Sequence, residues 1–351
     1  MKGLLLMCLR FLSFMPFSSL SGVKIRIYSM LGANIGEHVF FASKAFIYST
    51  DFRKVKIGDG VTFGHGVNIR CEELKVGDDT RFGAGVCAAG SVLRVGRGCY
   101  FLPGVYVDLN EPVIIEDDVG IGADYIFTHS VWHPVTEGGP RKFAPVHIKK
   151  GAWIPAGVFI MPGVTIGEGA TVGARSLVIN DVPDGCLAVG VPAKVVKSSD
   201  EMRKQLTRQE KDEVVRSILE EYLKKIEKGL TTHSEKKHDD ERFVRFEVKS
   251  RERRILPTKK QWAILYTNSI LKNSHIAYLT DLCKELDMVL LVSLNSISRA
   301  IMRNLNEDAF SNLVWFSVEN RLRKRSWKGR AVSLHDFFRS RYGIRFRFYR
   351  D

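Results

Sequence analysis

From residue 148 to residue 178 an aliphatic side chain returns every six positions, at Ile148, Ile154, Ile160, Ile166, Val172 and Val178. Neither the 3.6-residue period of a helix nor the two-residue period of a strand gives that spacing. One aliphatic residue per six, with small residues at the turns between, suits a coil of three short flat faces. Three such hexapeptides close one triangular rung of about eighteen residues, and each rung covers the one below.

The same phase extends upstream. Ile57, Val76, Val95 and Ile115 open comparable runs (IGDGVTFGHGVN, VGDDTRFGAGVC, VGRGCYFLPGVY and IEDDVGIGADYI) at spacings of 19, 19 and 20 residues. The next start, Ile148, comes 33 residues after Ile115. That rung therefore carries roughly fifteen extra residues, which lets out a loop. Ordinary short strands joined by glycine turns would not hold one phase for so long. The expected fold is mainly β, a parallel β-helix followed by a helix and a small α/β C-terminal domain.

The repeats, the loop and the closing segment LVINDVPDGCLAVGVPAKVVK at 177–197 resemble the hexapeptide-repeat acyltransferases. The nearest in kind are the maltose and galactoside O-acetyltransferases and their polysaccharide-modifying relatives. The resemblance spans residues 20–197, a little over half the chain, and its motifs are specific for fold and acyl donor but not for acceptor. It implies a left-handed parallel β-helix and transfer of an acyl group, acetyl above all, from coenzyme A to a hydroxyl of a saccharide or surface-polysaccharide precursor. It also implies a cytoplasmic homotrimer whose sites lie between subunits.

The chemistry concentrates in FTHSVWHPVTEGGPRKFAP at 127–145. A hydroxyl attacks a thioester only as it loses its proton, and histidine is the usual base near neutral pH. His133 and His129 are both candidates. His133 has the histidine-proline-valine context that the resemblance calls for, whereas His129 keeps the family's distance to Pro145. On the preceding rung, Asp108 and Asn110 resemble the polar residue that holds the acceptor hydroxyl, and both are also common turn residues. For acetyl-CoA, the resemblance carries over Ala156 and Ala174, small enough for a pantetheine arm to approach the backbone, with Lys194 and Lys197 to neutralise phosphates. His38 and His65 fall at turns of repeats and read as solvated side chains.

The six cysteines form no CxxC pair and no metal-ligand spacing, so reduced thiols are expected. Residues 4–17 are apolar but are interrupted by Arg10 and Pro16, too short a run to span a bilayer. An amphipathic helix is expected there, capping the open end of the β-helix or lying on a membrane surface. The domain boundaries expected are a helical cap at 1–34, the β-helix at 35–199, an amphipathic helix at 200–230, a charged linker at 231–242 and a basic α/β domain at 243–351. The helix places Val215, Ile218, Leu219, Tyr222 and Ile226 on one stripe, and is expected to pack on the β-helix wall. In the last domain FVRFEV, WAILYT, MVLLVS and LVWFSV read as strands, HIAYLTDLCKEL and VSLHDFFRSRY as helices, and IRFRFYRD as a closing alternating strand.

Charge separates the halves. Residues 1–200 hold 20 basic and 18 acidic side chains, and residues 201–351 hold 33 and 21. Such a basic surface suits an anionic membrane, a lipid-linked saccharide or an acidic polysaccharide, and a nucleic acid less well. Two alternatives to the O-acyltransferase stand beside it: a non-catalytic oligomeric scaffold that presents the basic domain, and N-acylation of an amino sugar, for which a histidine base would also serve.

Overall fold

A computed structural model of the chain describes residues 5–9, 11, 20–122, 125–131, 133–202 and 204–227, and beyond these 235–237, 244–249, 261–267, 275–285, 288–295, 297–305, 310, 313–317, 322–323, 334, 338 and 347–348. The chain divides into two compact units, Met1–Lys204 and Gln205–Asp351.

The first unit is a parallel β-helix. Strand pairing sets Ile35 on Ile57, Ile57 on Val76, Val76 on Val95, Val95 on Ile115, Ile115 on Ile148, Ile148 on Ile166 and Ile166 on Val182. Every repeat start read from the sequence falls in this one column. A second column runs through Phe41, Phe63, Phe82, Phe101, Ile121 and Ile154. The third holds Ile47, Ile69, Ala88, Val107, Ile126, Ile160 and Val178. All three point inward and form the core. The four phenylalanines stack face to face with centroids 4.6, 5.1 and 4.6 Å apart, each pair adding about 1 kcal/mol beyond its buried area.

The long step between Ile115 and Ile148 is a hairpin. Strand His129–Val131 pairs antiparallel with Arg141–Phe143, and a 3₁₀ turn at Val135–Glu137 lies between them. Gly90 fixes the rung on which the site rests. Its φ of +136° lies in the left-handed region, and a Cβ there would meet the Leu109 carbonyl oxygen at 2.3 Å.

An open β-helix end exposes backbone groups that a further rung would have satisfied. Helix α1 (Ser21–Met30) covers them with polar side chains. Lys24 Nζ donates to the carbonyls of Ala42 and Ala45 at 3.2 and 3.1 Å, Phe41 N–H donates to Ser21 Oγ at 2.9 Å, and Ile47 N–H donates to the Tyr28 hydroxyl at 2.8 Å. Burial lowers the Lys24 pKa. Residues 5–9 are helical, and Leu9 is buried against the same core. Among the described residues no helix is long and apolar enough to cross a membrane. At the other end, strand Ala193–Lys197 turns back antiparallel on Leu187–Gly190 and ends the parallel stacking.

Among its described residues the second unit is a mixed seven-stranded sheet with helices. Its centre is the parallel trio Gln261–Thr267, Met288–Ser293 and Leu313–Ser317, three of the five strands read from the sequence; Val244–Lys249, a fourth, pairs antiparallel at one side, and Arg347–Phe348, within the fifth, pairs with Leu322–Arg323. Glu235–Lys237, within the segment read as linker, adds a further antiparallel strand. Helix α2 (Arg208–Glu227) buries Val215, Ile218, Leu219 and Tyr222, as its apolar stripe required. Its Asp212 accepts a hydrogen bond from the Tyr266 hydroxyl, and its Arg216 lies over the Tyr266 ring, 5.3 Å from the centroid. Leu265, Val289, Leu291, Leu313 and Trp315 form a separate cluster with Leu279 and Cys283 of α3 (Ile276–Glu285) and with Ile301 and Met302 of α4 (Arg299–Asn304). The helix expected at 332–342 lies outside the described residues except at Leu334 and Phe338, both buried.

Candidate active site

The site forms where the hairpin leaves the β-helix. On strand Tyr106–Leu109, Val107 and Leu109 point into the core, which leaves Tyr106 and Asp108 on the outer side. One rung on, Tyr106 pairs with Tyr125 and Val107 with Ile126, and this register carries Thr128 and His129 over Asp108. Asp108 Oδ2 accepts from Thr128 N–H at 3.0 Å, from the Thr128 hydroxyl at 2.9 Å and from His129 Nδ1 at 2.6 Å. Its Oδ1 accepts from the Asn110 side-chain amide at 2.6 Å and from Asn110 N–H at 3.3 Å.

Burial pushes the Asp108 carboxyl pKa up, but the bonds from His129, Thr128 and Asn110 outweigh it and hold the group below the usual carboxylate range. An ionised Asp108 fixes the imidazole. With Nδ1–H donating to the carboxylate, Nε2 keeps its lone pair. The Asn110 amide nitrogen also lies 3.0 Å from His129 Nδ1, a contact between two donors that bond the two oxygens of one carboxylate. Phe143, paired with His129 across the hairpin, has its ring centroid 5.7 Å from the imidazole and braces it from the loop side.

A second histidine-carboxylate pair shows what is particular here. His147 Nε2 lies 2.9 Å from Glu116 Oε1, but the Glu116 side chain is 43% exposed against 6% for Asp108. Exposed pairs of that kind contribute little, whereas a buried carboxylate holds its partner's orientation.

The structure brings Asp108, Asn110 and His129 together, three of the residues singled out in the sequence. Among the described residues, the hydrogen bonds of this cluster run through His129 and not His133. His133 is exposed, and the chain returns so close to it that a Cβ on Gly139 would lie 2.7 Å from its own Cβ. Thr128 escaped sequence reasoning; the signal was a hydroxyl immediately before a candidate histidine, at a position now fully buried. Ala156 and Ala174 are exposed at one corner of the coil on successive rungs, where Arg175 N–H donates to the Ala156 carbonyl at 3.2 Å. Lys194 and Lys197 are exposed on the closing hairpin, opposite Val189 and Leu187. Burial and the nearby Glu73 and Glu72 carboxylates push the Cys71 thiol up to about 12, so it is no nucleophile.

Comparison with known proteins adds a family context. Residues 145–180 match the family described as bacterial transferase hexapeptide (six repeats). The galactoside O-acetyltransferase of Lactococcus lactis subsp. lactis (strain IL1403) is 30% identical over 108 residues, which cover 28% of this chain and 52% of that protein. The chain thus spans about half the length of that curated relative. Among solved structures, a hexapeptide-repeat containing acetyltransferase from Vibrio cholerae is 20% identical, covers 56% of this chain and 92% of its own, and superposes with a TM-score of 0.34. An N-acyltransferase from Bacillus cereus, in complex with dTDP and 3-hydroxybutyryl-CoA, is 22% identical and covers 57% and 96%, with a TM-score of 0.28. The resemblance read from the repeats agrees with the family match at 145–180 and with the similarity to the galactoside O-acetyltransferase.

Proposed function

We propose that the chain is a coenzyme A dependent acetyltransferase acting on sugars and, more finely, an O-acetyltransferase in which His129 is the general base. One observation carries the reading. His129 Nδ1 is held at 2.6 Å by a carboxylate that is itself buried and bonded by Thr128 and Asn110. That arrangement presents Nε2 as a base of fixed direction at the mouth of the hairpin.

The acceptor hydroxyl gives its proton to His129 Nε2 as its oxygen attacks the thioester carbonyl. The carbon–sulfur bond then breaks, and the imidazolium returns the proton to the departing thiolate, leaving an acetyl ester and free coenzyme A. Asp108 stabilises the imidazolium formed in between, and a positioned base of this kind contributes about 10²- to 10⁴-fold. Asn110 is placed to meet the acceptor. Ala156 and Ala174 leave the corner backbone open to a pantetheine arm, and Lys194 and Lys197 would meet the donor's phosphates. In the same reading the enzyme is a homotrimer at the cytoplasmic side of a membrane, and the basic residues of 243–351 recruit a lipid-linked or polymeric acceptor.

The test is to incubate the purified chain with acetyl-CoA and a panel of saccharides, following thiol release and characterising the product by mass spectrometry and hydroxylamine sensitivity. An ester, cleaved by hydroxylamine, is expected. An amide formed on an amino sugar, with plain saccharides untouched, would contradict it.

A further inference from the structure

The outer side of the rungs below His129 carries a step that the acetyl-transfer reading does not use. The pairing is in register through three rungs, with Arg70 beside Ala89 and Ala89 beside Asp108. All three side chains leave the coil on the same side, because the residues that flank them (Ile69, Cys71, Ala88, Val107 and Leu109) are buried in the core. Neighbouring strands lie about 4.8 Å apart, so the Arg70 and Asp108 backbones are about 10 Å apart. Between them stands a single methyl group, that of Ala89, followed by Gly90, which can bear no side chain.

Arg70 is exposed, and its Nε donates to the Asn68 side-chain oxygen at 3.2 Å, a neutral partner that steadies the guanidinium. Tyr106 stands beside this step, on the same strand as Asp108 and paired with Cys87. An anion-binding fork at one end, Asp108 with His129 over it at the other, and the unfilled rung of Ala89 between Arg70 and Asp108 describe a seat about one pyranose ring long. Guanidinium groups bind carboxylates and phosphates with two parallel hydrogen bonds, which fixes orientation as well as charge.

We propose that Arg70 is a specificity-determining residue that binds an anionic substituent, carboxylate or phosphate, on the sugar whose hydroxyl faces His129. The acceptor unit is thus an acidic sugar lying across the rungs from Arg70 to Asp108. This rests on the acetyl-transfer reading, but it assigns a substrate class that the reading leaves open. It also agrees with the chain's net charge of +14, since a basic protein attracts an acidic acceptor from a distance.

The test has two arms, both on the full-length protein. In the first, glucuronate, glucose 6-phosphate and glucose are compared by calorimetry or ligand-observed NMR without acetyl donor, so that binding is read whether or not transfer occurs. Wild type should bind at least one of the acidic sugars roughly 10- to 100-fold more tightly than glucose, which of the two identifying the anion, and Arg70→Ala should abolish the difference. Arg70→Lys should restore part of it, since it keeps the charge and loses the fork. In the second arm, the ratio of kcat/KM for acidic over neutral acceptor should fall by a similar factor in Arg70→Ala, through KM rather than kcat. Wild type that binds neither acidic sugar better than glucose overturns the proposal, as does an Arg70→Ala variant that keeps the preference. Anion-selective binding without acetyl transfer to any acceptor would leave Arg70 in place and remove the acetyl-transfer reading instead.

Discussion

At the scale of single residues, the site turns on Asp108. Asp108→Asn keeps the shape of the cluster but removes the charge that fixes the His129 tautomer, and should lower kcat by about 10²-fold or more with a smaller change in KM. The same carboxylate links stability to pH. Its folded pKa lies below the ordinary value of 3.8, so its contribution is fully present above that value and is lost as pH falls through the folded pKa. The part of the stability gap between wild type and Asp108→Asn that comes from this carboxylate, read by urea denaturation, should close as pH falls below about 4. The sequence left His129 and His133 as alternatives because both sit in the same let-out loop. What separates them is a carboxylate 21 residues before His129, brought beneath it by one turn of the coil. Counting along the loop cannot see that contact.

At the scale of elements, the rungs were legible from their period, whereas the helical cap expected at 1–34 was read from the apolar run at 4–17 and not from the pattern of α1 itself. A six-residue period reports directly which residue lies over which, and the starts at 57, 76, 95, 115 and 148 all fall in one column. Helix α1 has no apolar stripe to announce it. The face it buries is Ser21, Lys24, Ile27 and Tyr28, because what it covers is the polar edge of the first rung. Tyr28→Phe should therefore cost about 1–3 kcal/mol in equilibrium denaturation, the penalty for leaving the buried Ile47 N–H without its acceptor. Gly90→Ala tests the rung itself. Its Cβ would force the Leu109 carbonyl away and shift the strand that carries Asp108, so stability and acetyl transfer should fall together. A stable variant of full activity would show that this approach is less close.

At the scale of the whole molecule, charge divides the chain. The β-helix half is nearly neutral, whereas residues 201–351 carry an excess of twelve basic side chains. Reversing part of that excess with Arg323→Glu and Arg325→Glu should raise KM for a polyanionic acceptor far more than for a small neutral sugar. The difference should shrink at high salt, where a surface field is screened within about 8–10 Å. The strands of the second unit were readable as apolar runs. The partner of α2 was not, since an apolar stripe states that a face is covered without saying by what. The helix bonds Tyr266 through Asp212 and Asn295 through Arg208, both in the second unit. The measurement that bears most directly on the account is kcat/KM for acetyl transfer in His129→Ala and His133→Ala, side by side at saturating acetyl-CoA. The geometry around Asp108 predicts a loss of roughly 10²-fold or more for His129→Ala and less than about threefold for His133→Ala. The reverse order, or two variants as active as wild type, would contradict it.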